Sequence, residues 1–166
     1  HMHNNSTKEA PSQELRINEK KWSRELLAGG WTAIPNIIVE RQRVLGLDPI
    51  DINILMHLAC YWWTADNKPH PAKGTIAEAM NIHPRTVQRR IAEMEKGGLI
   101  RREERRVQGK GSKGSSTNIY HFDGLIKAAA PYASEKVQEI EARNAERKAR
   151  ASRKGRPQLR LVKEEE

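Results

Sequence analysis

The sequence predicts a mainly α fold with a small antiparallel β-sheet, and three features of the 166-residue chain indicate it. Two short amphipathic segments, 72–80 and 84–96, follow each other with only three residues between them. An apolar segment at 49–64 precedes them and provides a helix on which they can pack. Two runs with strand character, 99–106 and 117–122, flank a loop rich in glycine and lysine.

The N-terminal region, residues 1–30, is predicted to be an arm that is partly disordered and partly helical. Residues 14–28 favour a helix, which the following glycine pair ends. A short strand is expected at 31–34, where the chain is Trp-Thr-Ala-Ile and a proline follows. Asn36 can then cap a helix of about ten residues that stops at Gly46.

A central helix is predicted to begin at Asp48, because an aspartate N-cap followed by proline is a typical helix start. It extends to about Thr64 and is apolar on nearly every side. Such a helix is buried on more than one side, so another part of the chain or a second subunit must cover it. Cys60 within it is expected to be a small buried residue.

The two helices that follow have the spacing of a helix-turn-helix, with residues 81–83 as the turn. Their inward positions are apolar: Ile76, Ala77, Met80, Val87, Ile91 and Met94. The first two turns of 84–96 then project polar side chains outward: Arg85, Thr86, Gln88 and Arg89. Such side chains read base edges in the major groove, where arginine binds guanine and glutamine binds adenine.

The strands and the loop between them complete the order of a winged helix, with the wing at 107–116. Basic and hydroxyl side chains of this domain are candidates for contacts with the phosphate backbone: Lys73, Thr75, Arg90, Arg106, Lys110 and Lys113. Arg90 lies nearer the packed side of its helix, so it is assigned either to phosphate or to a structural ion pair.

The C-terminal region, 124–152, is predicted to be a helical extension that is interrupted at Pro131. Val137 and Ile140 suggest an apolar seam of one or two turns. Residues 153–166 lack periodicity and are expected to be a disordered tail with both basic and acidic residues. The tail offers a short, weak DNA-binding motif that resembles an AT-hook: Arg153, Lys154 and Arg156.

The net charge of +9 is concentrated in two blocks. Residues 85–113 carry ten basic and four acidic side chains, and residues 147–163 carry eight basic and none acidic. Two basic blocks on a small chain indicate a polyanionic partner, of which nucleic acid is the usual one.

Other classes of function are disfavoured. The chain contains no P-loop, no Gly-x-Ser-x-Gly and no His-Glu-x-x-His, so we expect no enzyme, no catalytic residue, no cofactor and no metal site. The longest apolar stretch, 52–63, is too short to cross a bilayer, and no signal-peptide pattern is present. We therefore expect a cytoplasmic protein.

Three runs carry a family resemblance: HPAKGTIA at 70–77, TVQRRI at 86–91 and KGGLIRR at 96–102. Together they resemble the winged helix-turn-helix domains of bacterial, phage and plasmid DNA-binding proteins, over residues 31–123. The chain departs from that pattern at Ala72 and His83, where a serine or aspartate cap is common, and each departure weakens capping by about 1 kcal/mol. The resemblance implies DNA binding and a bacterial protein associated with the nucleoid.

From these observations we expect sequence-specific binding of double-stranded DNA, by a homodimer that regulates transcription. Helix 84–96 would read the major groove and the wing would contact the backbone. A plasmid or phage replication initiator that binds origin DNA through the same domain is the first alternative. The second is a protein-interaction winged helix whose basic tail binds RNA or a membrane.

Overall fold

A computed structural model describes residues 11–62, 73–105 and 117–153. Within these ranges lie the helices α1 (Gln13–Trp22), α2 (Arg24–Ala28), α3 (Asn36–Glu40), α4 (Pro49–Cys60), α5 (Lys73–Met80), α6 (Pro84–Lys96) and α7 (Asp123–Ser152). The strands β1 (Arg101–Arg105) and β2 (Thr117–His121) pair as an antiparallel two-stranded sheet. The predicted class, a mainly helical winged helix with a small antiparallel sheet, is confirmed.

Helix α4 begins where the sequence predicts. The side chain of Asp48 accepts a hydrogen bond from the Asp51 N–H at 2.8 Å, and the side chain of Asp51 accepts one from the Asp48 N–H at 3.0 Å. This reciprocal capping box satisfies two N–H groups at the helix start, and Pro49 has no N–H to satisfy. The helix ends at Cys60 instead of Thr64, and Cys60 is exposed, so its predicted burial is wrong. The buried positions of α4 recur at 51, 54, 55 and 58, a stripe that leaves 60 on the outer side.

The core lies where α4, α5 and α6 meet the hairpin. The inward positions predicted for the helix-turn-helix are buried in both helices, except Met80, which is partly buried. The hairpin and the start of α7 close the core with four further side chains: Ile100, Tyr120, Phe122 and Leu125. In the sheet Arg102 and Tyr120 are cross-strand neighbours. The Tyr120 side chain is buried in the core, whereas Arg102 is partly exposed.

The N-terminal region differs from its prediction. The expected helix 14–28 is two helices that break at Ser23, whose φ is 99° and whose side chain caps α2 by accepting the Leu26 N–H at 3.2 Å. Among residues 11–30 only Leu27 is buried, and α1 packs mainly against α2.

Residues 31–46 also differ from their predicted structure. Residues 31–34 do not form a strand, because neither strand of the described sheet pairs with them. Helix α3 is shorter than expected, and Pro35 instead of Asn36 occupies its N-cap position. Gly46, with a φ of 73°, stands where the chain turns into α4, but α3 already ends at Glu40, so the prediction that Gly46 ends this helix is wrong.

Helix α7 is continuous through Pro131, so the predicted interruption is wrong. The proline removes one backbone hydrogen bond, but tertiary contacts hold the helix on both sides of it. Before it, the Leu125 N–H donates to the Leu99 carbonyl at 2.9 Å. After it, the Lys136 ammonium lies 2.7 Å from Glu40 of α3. None of the helices in the described part of the chain is long and apolar enough to span a membrane.

Replacing Pro131 with alanine is expected to stabilise the protein by about 1–3 kcal/mol, because proline in a helix interior costs about 3 kcal/mol relative to alanine. Pro131 is exposed, so the substitution removes no core contact. Urea denaturation followed by circular dichroism measures the change. An unchanged or lower free energy of unfolding would show that the proline ring makes a compensating contact.

Candidate nucleic-acid interface

Helix α6 has one buried face and one exposed face. Val87 and Ile91 are completely buried against α4 and α5, and Met94 continues the same stripe. Of the side chains predicted to read bases, the structure brings three together on the exposed face: Arg85, Gln88 and Arg89. Thr86 is half-buried at the edge of that face. A helix fixed on one side with free donors on the other has the build of a recognition helix.

The start of α6 is fixed by His83. Its Nδ1 accepts a hydrogen bond from the Arg85 N–H at 3.1 Å, and Pro84 occupies the first helical position. The imidazole therefore supplies the capping acceptor that serine or aspartate provides in the family pattern. This cap sets the backbone from which Arg85 and Gln88 project.

Arg89 remains available for a ligand. Its guanidinium lies 4.0 Å from the Glu93 carboxylate, and both side chains are about 60% exposed, at 62% and 59%. An exposed ion pair at this separation is worth less than about 1 kcal/mol, so a guanine or a phosphate can displace it.

Arg90 faces the domain. Its guanidinium pairs with Asp48 and lies 3.6 Å from Asp51, and its side chain is only 19% exposed. Of the two roles expected from the sequence, phosphate contact or structural ion pair, the structure shows the ion pair. The pair ties the centre of α6 to the start of α4, so it fixes how far α6 can tilt.

The pKa values of the two aspartates beside Arg90 are shifted in opposite directions. Burial raises the pKa of the Asp51 carboxyl, and the hydrogen bond from the Asp48 N–H and the charge of Arg90 offset this only in part. Burial also opposes ionisation of Asp48, but the Asp51 N–H and the Arg90 guanidinium outweigh it and lower the pKa of Asp48. Arg90 therefore serves Asp48 as its direct partner.

A second cluster lies beside the start of α5. Lys73 is half-buried, and its pKa is lowered by burial and by the nearby guanidinium of Arg102. Arg102 lies 3.6 Å from Glu95, which leaves the cluster with one surplus positive charge. Thr75, two residues into α5, is exposed. The helix N-terminus with Lys73 and Thr75 is suited to a phosphate.

Several predicted site residues lie outside the described ranges: Arg106, Lys110, Lys113, Lys154 and Arg156. Arg153 is exposed at the end of α7. The sequence interpretation missed the cluster of Lys73, Glu95 and Arg102, because these residues belong to three different elements. The described residues contain no group of three or more histidine, cysteine, aspartate or glutamate side chains that could hold a metal ion.

Residues 45–100 match a family model described as a helix-turn-helix domain. The match covers α4, α5 and α6 and ends just before β1. No curated protein matches the chain. The family points to DNA binding and to a role without catalysis. Residues 45–100 thus match a helix-turn-helix domain, and the β1–β2 hairpin that follows them adds the sheet of a winged helix.

Proposed function

We propose that this protein binds double-stranded DNA in a sequence-specific manner and regulates transcription. The proposal rests on the contrast between the exposed and the buried face of α6. Arg85, Gln88 and Arg89 are exposed together on a helix whose opposite face is completely buried. Arginine and glutamine can each make two hydrogen bonds to a base edge, so this face can distinguish base pairs.

Backbone contacts would orient the domain on the duplex. Lys73 and Thr75 at the start of α5 would bind one phosphate, and Lys110 and Lys113 of the predicted wing at 107–116 would add further contacts. Such contacts give affinity but no sequence information, so they complement α6 instead of duplicating it.

The direct experiment is to incubate the protein with sheared genomic DNA at physiological salt and to sequence the retained fragments. Enrichment of a single inverted repeat over a promoter supports transcriptional regulation. Enrichment of an array of direct repeats contradicts regulation and supports a replication origin instead. Equal retention of all fragments contradicts sequence-specific binding.

We further propose that the protein acts as a homodimer. Six large apolar side chains in or near α3, α4 and α7 are between 43 and 57% exposed: Val39, Val44, Met56, Ile126, Val137 and Ile140. Val39, Met56 and Ile126 border a cavity of about 290 Å³, which Trp62 also lines. A second copy would cover this face, and a two-fold dimer would place two α6 helices about one turn of DNA apart, roughly 34 Å.

Replacing Val137 with glutamate is expected to weaken self-association by tenfold or more. A symmetric dimer buries this side chain twice, and each burial is worth about 1.5 kcal/mol or more. Sedimentation velocity across a range of concentrations measures the change, with wild type expected at twice the 19.0 kDa of the chain. Ile17→Glu, on the exposed side of α1, is the matched control. A monomeric wild type at every concentration would exclude the dimer.

A further inference from the structure

The face of α7 that docks on the domain continues beyond it. Leu125 and Ala129 are buried, the Tyr132 ring lies 6.0 Å from the Arg41 guanidinium, and Lys136 pairs with Glu40. These positions recur every three or four residues and so lie along one side of the helix. From residue 137 to the end of α7 every residue is exposed, so the helix extends past the body of the domain.

Three arginines occupy the same side of this exposed part. Arg143, Arg147 and Arg150 follow Lys136 at steps of seven, four and three residues, which keeps them on the docking face. We refer to these three residues as the arginine stripe. At 1.5 Å per residue it spans about 10 Å and begins about 10 Å beyond Lys136. The stripe therefore overhangs the side of the molecule on which α3 lies.

Ion pairs among the described residues compensate the charge of the stripe only in part. Arg150 pairs with Glu146, the only acidic residue between 142 and 153. Within the described residues, neither Arg143 nor Arg147 forms an ion pair. Like charges three and four residues apart on a helix repel each other, so an anion with regularly spaced charges would stabilise this arrangement.

Duplex DNA fits the arrangement best. A DNA strand carries one phosphate per 3.4 Å of axis, so the stripe spans about three phosphates. Because α7 is fixed to the domain that holds α6, a duplex long enough to reach both α6 and the stripe would present its phosphates to the stripe at a raised effective concentration. We propose that the arginine stripe binds the phosphate backbone of the duplex beyond the segment read by α6. This inference rests on the proposed function for its choice of duplex.

The test compares two variants of α7 that lose the same charge. R143Q/R147Q removes the two unpaired arginines of the stripe, whereas K127Q/K148Q removes two exposed lysines from the other sides of the same helix. Glutamine is a good helix former, so α7 is retained, and circular dichroism checks this. Binding to the retained site is titrated against salt on two duplexes. One ends at the edges of the site, and the other extends by about two helical turns, roughly 20 base pairs, on each side.

Wild type and K127Q/K148Q are expected to have a steeper salt dependence on the long duplex than on the short one. R143Q/R147Q is expected to lose this difference, with its slope on the long duplex reduced by about 1.8, or 0.9 per phosphate contact. Equal slopes for the two variants on the long duplex would overturn the proposal. A second result would also overturn the proposal. If R143Q/R147Q bound a single-stranded RNA competitor less well than wild type but kept the difference in salt slope between the two duplexes, the stripe would bind RNA instead. Failure of α6 to discriminate sequences would appear separately, as equal binding of wild type to specific and random duplexes.

Discussion

Replacing Arg85 and Arg89 with alanine is expected to abolish discrimination between the specific site and random duplex while leaving the fold intact. Both side chains are exposed on α6, and neither contributes to the core. Each arginine that binds a base edge contributes about 1–3 kcal/mol of discrimination, so the double variant should lose roughly thirtyfold to more than a thousandfold in the specificity ratio. Competition binding with labelled specific duplex and unlabelled random duplex measures that ratio directly.

Lys96→Ala is the matched control for this experiment. Lys96 is exposed in the last turn of the same helix, far from the first two turns that would enter the groove. Its loss should lower the salt slope by no more than about 0.9 and leave the specificity ratio unchanged. A ratio that survives R85A/R89A but falls in K96A would place the base-reading surface at the other end of α6.

The helix-turn-helix was predictable because its signals are local. Apolar residues at helical spacing define the buried stripes of α5 and α6, and the aspartate and proline at 48 and 49 define the start of α4. These patterns act within one or two turns of helix, so they hold whatever the rest of the chain does. The same locality explains why the exposed face of α6 could be described before its surroundings were known.

The errors arose where distant residues decide the structure. Residues 31–34 have strand-forming side chains, but a strand needs a partner and the described sheet offers none. Pro131 disfavours a helix locally, yet contacts of α7 with α3 and with Leu99 keep the helix continuous. The partners of Arg90 lie about 40 residues earlier in the chain, and helical periodicity alone left its role open.

Arg90→Met is expected to lower the free energy of unfolding by about 3 kcal/mol. The substitution keeps an apolar stem of similar length but leaves the carboxylate of Asp51, which is 6% exposed, without its cation. Breaking a buried pair on one side costs about 3–5 kcal/mol, and the partial exposure of Asp48 places this case at the lower end. Chemical denaturation of both proteins at neutral pH measures the difference.

The double variant D51N/R90M tests whether the uncompensated charge of Asp51 causes the loss of stability in R90M. An asparagine at 51 still offers an oxygen to the Asp48 N–H but carries no charge, so the double variant should be more stable than R90M alone. The free energy of unfolding of D51N should differ less from that of wild type than the value for R90M does, because Arg90 still pairs with Asp48 in D51N. Additive effects of the two substitutions would show that the carboxylate and the guanidinium do not interact.

The pH dependence of R90M follows from the same charges. The native pKa of Asp51 is raised above 3.8, so the native state binds its proton more tightly than the unfolded chain does, and stability falls as the pH rises through that native value. Asp48 acts in the opposite sense, because its lowered pKa gives stability above 3.8 that is lost on acidification. Removing Arg90 raises the pKa of both carboxyls, so the deficit of R90M relative to wild type should shrink as the pH falls from 7 towards 4. A deficit that stays constant over this range would mean that Arg90 stabilises the domain without its charge interaction with the two carboxylates. A variant as stable as wild type at neutral pH would mean that Arg90 does not hold α6 on α4 and is available to DNA instead.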